Sequence, residues 1–273
     1  MWPLTLLLAA AILYLVVVAF VFLAQDRILF PSYIVGRATA MPPGAERLEF
    51  RAADGTRLEG LRIPPAPGRR SDALMLVFVG NASNAQHGAE QVHDVYPDRD
   101  VVAFFYRGYA PSGGRTSAGR LIEDAPRVYD LVAERYRPGH IVAVGISLGS
   151  GVASALAAER PLDGLILITP FDSLGATARQ LYPWLPVSLL FRHDIRSADV
   201  LRGTRLPVAI IASGSDRLVR SERTKALREA IPNLVFDATV PGASHDDIFL
   251  RAETVPAMRE AMRRIEGEWR ERP

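Results

Sequence analysis

Residues 141–159 read IVAVGISLGSGVASALAAE, and this stretch decides the fold. It begins with a continuous apolar run, which is typical of a strand buried on both faces. It ends with small residues that favour a helix. Between the two lies GISLG (145–149), in which the glycines let the chain turn sharply around the serine. The stretch therefore predicts a strand, a tight turn and a helix, with the Ser147 hydroxyl above the sheet at the helix N-terminus.

Similar apolar runs recur through the rest of the chain. They occupy 73–80, 101–106, 141–147, 164–169, 207–214 and 234–240, and helix-compatible segments lie between or after them near 84–96, 118–136, 148–159, 220–231 and 246–268. Regular alternation of strand and helix predicts an α/β protein with a mostly parallel, doubly wound sheet. Ahead of this sheet, the sequence around Asp54-Gly55 predicts an antiparallel hairpin.

The composition narrows the possible functions. The chain of 273 residues has a net charge of +2 and no long basic run, so we expect no nucleic-acid partner. It has no cysteine, which excludes disulfides, thiolate metal sites and a cysteine nucleophile. The histidine spacing matches no metal motif, and we expect neither a metal nor another cofactor. We interpret His140 as a surface residue, and His93 and His193 as solvated or locally bonded.

The N-terminus predicts a membrane anchor. Residues 4–24 read LTLLLAAAILYLVVVAFVFLA, without a charge. As a helix they span about 32 Å, which matches a bilayer core of about 30 Å. A cleaved signal peptide would carry a basic start and a small-residue cleavage site, and a buried core helix would carry a polar face. We therefore expect an uncleaved, single-pass anchor at 1–25, a linker at 26–45 and a catalytic domain at 46–273.

The charges around this segment bear on its orientation. Arg27 and Arg37 follow the apolar run, and no charged side chain precedes it. Basic residues beside a membrane span favour the cytoplasmic side. The pattern therefore favours a membrane protein whose catalytic domain faces the cytoplasm.

Ser147 has the partners that a nucleophilic serine needs. A serine hydroxyl reacts only beside a general base, and the base needs an orienting carboxylate. After a serine in this kind of turn, the acid comes next along the chain and the histidine last. Asp216 and His245 follow this order, each just past an apolar run, where parallel sheets collect functional groups. We predict Ser147, Asp216 and His245 as the catalytic residues, with Asp172 as an alternative acid.

Acyl transfer also needs backbone donors for a tetrahedral oxyanion. One donor is expected to be the N–H of Leu148, directly after the nucleophile. The other is expected to be the N–H of Asn81, in the loop after the run ALMLVFV (73–79).

Several segments resemble, in the same order, a family of membrane-anchored α/β-hydrolases related to bud-emergence-type hydrolases and protein depalmitoylases. These segments are GNASNAQH (80–87), YRGYAPSGG (106–114), GISLGSG (145–151), YPWLPV (182–187), SGSDRLV (213–219) and GASHDD (242–247). The resemblance implies an α/β-hydrolase fold with a minimal lid and a serine hydrolase activity. Val79, Phe105 and Ala110 depart from the family pattern, which has His, Asp and Gly at these positions.

The resemblance also suggests roles outside the triad. Arg107 and Tyr109 match the family's loop and are expected to shape the wall of the site, while Asp124 is expected to be a structural helix residue. Trp184 lies in the short apolar stretch between the runs at 164–169 and 207–214. This stretch is expected to form one or two small lid helices, which either line an acyl-chain site or simply pack on the core.

Three functions are consistent with these residues. The first is a serine hydrolase that cleaves the ester or thioester bond of a small-molecule or lipid-like acyl substrate through an acyl-enzyme. The second is a peptidase of the same fold, because a triad does not distinguish an amide from an ester. The third is a catalytically inactive membrane scaffold, which is suggested by Val79 at the position where the family pattern has histidine.

Overall fold

The apolar runs form one sheet in a computed structural model that describes residues 2–36, 40–69 and 71–271. Within these residues the strands are β1 (Glu46–Arg51), β2 (Arg57–Ile63), β3 (Ala73–Phe78), β4 (Asp100–Phe104), β5 (His140–Ile146), β6 (Gly164–Ile168), β7 (Val208–Ser213) and β8 (Leu234–Val240). They lie in the order β1-β2-β4-β3-β5-β6-β7-β8.

The sheet is mostly parallel. The hairpin predicted around Asp54-Gly55 is confirmed, because β1 pairs antiparallel with β2, and β2 pairs antiparallel with β4. All other pairs are parallel. Every residue of β3 and of β6 is buried, as expected for strands that are covered by helices on both faces. The predicted mostly parallel, doubly wound sheet is therefore confirmed.

The helices of the described chain are α1 (Trp2–Leu29), α2 (Ala85–Val95), α3 (Ala118–Tyr136), α4 (Leu148–Glu159), α5 (Leu174–Leu181), α6 (Val187–Leu190), α7 (Ser197–Leu201), α8 (Ser221–Ala230) and α9 (Thr254–Glu271). The helix expected from residue 246 is wrong over its first part. There the Asp247 carboxylate accepts the N–H of Ser244 and pairs with Arg251, which makes a turn. The helix starts only after this turn.

Helices α5, α6 and α7 form a short lid between β6 and β7. Helix α5 ends at Leu181 because Tyr182 precedes Pro183, and a residue before proline disfavours the helical conformation. Pro186 then precedes α6. The lid is made of small helices, as predicted, but it has three of them rather than the one or two expected.

Helix α1 is long and apolar enough to cross a membrane, judged by length and composition. Most of its apolar side chains are exposed, and the half-buried ones lie between Val17 and Leu29. The helix does not end at residue 25 but continues to Leu29. It also packs on the lid, since the Tyr14 hydroxyl donates to the Trp184 carbonyl at 2.9 Å. The division of the chain into anchor, linker and catalytic domain stays a prediction.

The polar end of α1 is bonded to the chain that follows α6. Gln25 is buried, donates to the Leu190 carbonyl at 3.3 Å and accepts the N–H of Arg192 at 2.9 Å. Asp26 lies 2.8 Å from Nε2 of His193, a buried residue that we interpreted from sequence as solvated or locally bonded. That interpretation is wrong, because His193 bonds to a helix far away along the chain.

Candidate active site

Ser147 lies in the turn between β5 and α4, with φ 50° and ψ −115°. A residue other than glycine rarely adopts a positive φ, and such strain persists only where neighbouring structure enforces it. Here the Ser147 N–H donates to the Ile168 carbonyl at 2.9 Å. Gly149 passes so close to the end of β3 that an added Cβ would overlap the Phe78 carbonyl. These contacts hold the turn and present the serine hydroxyl beyond the sheet.

The three predicted catalytic side chains form one hydrogen-bonded chain. Oγ of Ser147 lies 2.7 Å from Nε2 of His245, and Nδ1 of His245 lies 2.7 Å from Oδ2 of Asp216. The side chains of His245 and Asp216 are 11% and 4% exposed. When Nδ1–H donates to the carboxylate, Nε2 keeps its lone pair and can accept the serine proton. The geometry therefore allows the hydroxyl to be deprotonated as it attacks.

Backbone groups fix the orientation of Asp216. Its Oδ1 accepts the N–H groups of Leu218 and Val219 at 2.9 and 2.8 Å. A buried carboxylate is tolerated only when its oxygens have such partners. Because Oδ1 is occupied in this way, Oδ2 is the oxygen that faces His245.

The loops that carry the acid and the base are bonded to each other. The N–H of Ser215 donates to the Ala243 carbonyl at 2.8 Å, and the Ser213 hydroxyl donates to the Ser244 carbonyl at 2.9 Å. Since β7 and β8 are neighbours in the sheet, these bonds extend their pairing past the strand ends. The two loops therefore set the distance between the carboxylate and the imidazole.

The alternative acid, Asp172, has another partner. Its Oδ2 accepts from Nη1 of Arg223 at 3.0 Å. Burial raises the pKa of the Asp172 carboxyl. Asp216 rather than Asp172 lies against His245.

The loop after β3 lies beside the nucleophile. A Cβ added at Gly80 would lie 3.7 Å from Cβ of Ser147. Among the described residues, no hydrogen bond within the protein engages the backbone N–H of Asn81 or of Leu148. Leu148 follows Ser147 directly and Asn81 lines the same cavity, so both predicted oxyanion donors are free to donate to a ligand.

Two tyrosine hydroxyls donate hydrogen bonds to backbone carbonyls of this loop. The Tyr106 hydroxyl donates to the Val79 carbonyl at 2.9 Å, and the Tyr109 hydroxyl donates to the Asn81 carbonyl. Val79, which departs from the family pattern, is buried so close to Gly88 that an added Cβ there would overlap it. The loop is therefore supported without a histidine at position 79.

An apolar cavity of about 350 Å³ opens at Ser147. The lid contributes Leu181, Trp184 and Leu190 to its wall, and α1 contributes a second side that includes Val21. Among the described residues, none of the side chains that line the cavity is charged. The cavity therefore suits an apolar group attached to the atom that Ser147 attacks.

The expected wall residues require one correction. Trp184 lines the cavity, but Arg107 and Tyr109 do not. Arg107 is buried elsewhere, where its guanidinium donates to Asp124 at 2.5 and 2.7 Å and to Asp54 at 2.6 Å. A buried guanidinium needs carboxylate partners, so Arg107 anchors its own loop to α3 and to the β1–β2 turn. Asp124 has the structural role expected for it.

The sequence interpretation missed the contribution of α1 to the cavity. It treated the apolar run as membrane anchor alone, because hydropathy does not show which face of a helix meets protein. One signal was present, namely the buried Gln25 at the end of that run.

As for metals, no group of His, Asp or Glu side chains among the described residues is suited to hold one.

Curated relatives identify the family. No family model matches the chain. An uncharacterised protein of Mycobacterium tuberculosis is 33% identical over 236 residues, which cover 85% of this chain and 84% of that protein. The protein bem46 of Schizosaccharomyces pombe is 25% identical over 228 residues, which cover 78% of this chain and 76% of that protein. The chain belongs to the bem46-related α/β-hydrolase family.

One relative and one solved structure that resemble this chain are named as a lipase and an esterase. The lysophosphatidylserine lipase ABHD12 of Danio rerio is 30% identical over 145 residues, which cover 46% of this chain and 38% of that protein. An esterase of Pyrococcus furiosus matches with a TM-score of 0.68 and 21% identity, over 85% of this chain and 97% of that chain. The predicted α/β-hydrolase fold is confirmed, and these similarities support a hydrolase activity.

The close approach of α4 to β3 gives a testable prediction. Gly149 and Gly119 both lie in the first turn of a helix, α4 and α3 respectively. Gly149→Ala should destabilise the protein by about 1–3 kcal/mol, because the methyl group would overlap the Phe78 carbonyl. Gly119→Ala has open space and should stabilise it by up to about 1 kcal/mol. Thermal unfolding of both variants in detergent measures the difference, and a wild-type midpoint for Gly149→Ala would contradict the argument.

Proposed function

We propose that this protein is a serine hydrolase that cleaves the ester or thioester bond of an apolar acyl substrate. Ser147 is the nucleophile, His245 the general base and Asp216 the residue that orients the imidazole. The backbone N–H groups of Asn81 and Leu148 bind the oxyanion. The observation that carries the proposal is the hydrogen-bonded Ser147–His245–Asp216 chain at the mouth of an apolar cavity.

Catalysis proceeds in two acyl transfers. Oγ of Ser147 attacks the carbonyl carbon while its proton passes to Nε2 of His245. The tetrahedral oxyanion is stabilised by the two N–H groups, and its collapse breaks the bond to the alcohol or thiol, which takes the proton from His245. Water then attacks the acyl-enzyme, again giving its proton to His245. The carboxylic acid leaves, and the proton returns to Ser147.

The lining of the cavity favours an acyl substrate over a peptide. A peptide substrate brings backbone N–H and carbonyl groups, and burying them without partners costs free energy. The uncharged, largely apolar wall suits a hydrocarbon chain instead, since each buried methylene contributes roughly 0.8 kcal/mol. The relative named as a lipase and the neighbour named as an esterase point to the same bond type. An inactive scaffold would have no need of the paired Ser147 and His245.

We also propose that α1 is a single membrane span and that the domain which follows it faces the cytoplasm. Its length and hydropathy support the span. Arg27 supports the orientation by the positive-inside rule. Arg37, the other arginine in that argument, lies outside the described residues.

The nucleophile is tested by covalent labelling. Wild-type protein should react with an alkyl fluorophosphonate and hydrolyse p-nitrophenyl esters, preferring medium chains to acetyl. Ser147→Ala should lose both reactions, because removing the nucleophile of a triad abolishes most of the rate. Ser154→Ala, in the same helix α4, is the matched control and should label normally. Labelling of Ser147→Ala would refute the assignment, and a preference for aminoacyl amides over every ester would favour the peptidase alternative.

The acid is tested by a pair of isosteric changes. Asp216→Asn should lower kcat by orders of magnitude, about 10⁴-fold in the best-studied triad, because the imidazole loses its orienting carboxylate. Asp172→Asn should cost far less, since Asp172 is bonded to Arg223 rather than to His245. Ester hydrolysis measures both variants, and the reverse ranking would place the acid after β6.

The anchor is tested by extraction. Full-length protein should sediment with membranes and resist alkaline carbonate, which releases peripheral proteins but not a spanning helix. Carbonate treatment followed by centrifugation and immunoblotting measures this. Release of the full-length chain would show that α1 does not span the bilayer.

A further inference from the structure

Helix α1 forms one side of the cavity at Ser147. The side chains it contributes recur every three or four residues along one face of the helix, namely Val18, Val21, Phe22, Gln25, Ile28 and Leu29. Leu23, on another face of the helix, is exposed. A membrane tether needs no such face, so this part of α1 has a second role.

The cavity runs along the helix, away from the nucleophile. At one end, Nδ2 of Asn81 donates to the Leu29 carbonyl at 2.8 Å, beside Ser147. At the other end lie Val18 and Trp184. From Leu29 back to Val18 the helix rises about 16 Å. A water molecule occupies about 30 Å³ in the liquid, and a methylene group is taken as equally large. The cavity of about 350 Å³ then holds roughly a dozen methylene groups, which is enough for one acyl chain.

The helix is docked in this position by polar contacts at the foot of the cavity. Gln25 is bonded to Leu190 and Arg192, and Asp26 to Arg192 and His193. These contacts join the C-terminal end of α1 to the lid. They explain why a buried glutamine follows the apolar run of α1, and they keep the wall in place.

The direction of the cavity matches the direction of a lipid in a bilayer. The first charged residues after the apolar run are Asp26 and Arg27, so this end of α1 lies at the membrane surface. Ser147 is close to this end, and Val18 lies deeper. A lipid likewise has its ester groups near the surface and its chains towards the bilayer centre.

The outer face of the lid is apolar where it adjoins α1. Leu189 and Trp184 are 82% and 52% exposed, and Tyr182 is exposed beside them. Exposed apolar side chains that adjoin a membrane helix are suited to contact with lipid. The gap between α1 and the lid therefore opens towards lipid rather than towards water.

From these observations we propose that α1 is a substrate-binding element, and that the substrate is a single-chain acyl ester that enters from the bilayer between α1 and the lid. Its chain lies along Val18–Leu29, and its carbonyl carbon lies at Ser147. The proposal rests on the hydrolase function above and names the substrate class of that site.

The first test compares two valine-to-tryptophan changes in the same helix of the full-length protein. Val18 lines the cavity, whereas Val16 is exposed on another face. Val18→Trp should lower the ratio of kcat/KM on p-nitrophenyl dodecanoate to that on the butyrate by about tenfold or more, because the far end of the cavity is filled. Val18→Ala should move the preference to longer chains. Val16→Trp should keep the wild-type ratio, and equal ratios in all three variants would overturn the proposal.

The second test locates the chain directly. A dodecyl fluorophosphonate with a terminal diazirine is attached to Ser147 and then illuminated, and the crosslinked peptide is identified by mass spectrometry. Crosslinks should map to α1 near Val18 or to Trp184. Crosslinks only to segments remote from α1 would overturn the proposal. Failure of the probe to label Ser147 would instead count against the hydrolase function itself.

The third test distinguishes entry from lipid and entry from water. Protein in phosphatidylcholine vesicles is given p-nitrophenyl hexadecanoate, a long-chain ester that exchanges slowly through water, either in the same vesicles or in an equal amount of separate, protein-free vesicles. If the substrate enters from the bilayer, the initial rate should be at least tenfold higher when ester and protein share a membrane. Equal initial rates from the two placements would show entry from water and overturn the proposed route.

Discussion

The close passage of α4 over the end of β3 is the constraint on which the site depends. It requires glycine at position 149, since any side chain there would overlap the Phe78 carbonyl. It also forces Ser147 into a positive φ that the sheet must stabilise. This conformation places the Ser147 hydroxyl beyond the sheet, beside the N-terminus of α4 and next to the loop after β3. The strained serine thus lies 2.7 Å from Nε2 of His245 and beside the loop that carries Asn81.

The loop after β3 is held by contacts that do not require a histidine at position 79. Val79 packs in the core against α2, and its carbonyl is held by Tyr106. The next loop carbonyl, of Asn81, is held by Tyr109. Both tyrosines come from the segment after β4, which Arg107 fixes through Asp124. Support for the loop therefore comes from the adjacent strand's loop, and the wall role expected of Arg107 and Tyr109 is indirect.

The sequence predicts those features of the fold and the site that depend on residues close together along the chain and on their order. The period of the apolar runs gives the sheet, the glycines around Ser147 give the turn, and chain order singles out Asp216 and His245, which the structure pairs. What it misses depends on faces that meet only in the fold. Helix α1 is apolar on every side, so no periodicity distinguishes its lipid face from its cavity face. His193 and Asp26 are similarly far apart along the chain, and only the docking of α1 brings them together.

The docking of α1 changes what the N-terminal segment is. The predicted boundary between anchor and linker, at residue 25, falls inside α1. It falls at Gln25, whose side-chain amide joins α1 to the lid. Removing the segment before it would take away one side of the cavity and leave the apolar residues of the lid facing water. Burial of those residues is favourable by roughly 25 cal/mol per Å², so a truncated enzyme would tend to close or to associate there. Any acyl-chain preference of a truncated protein would then reflect a different cavity, because the apolar helix that could cross a membrane also forms one side of the cavity.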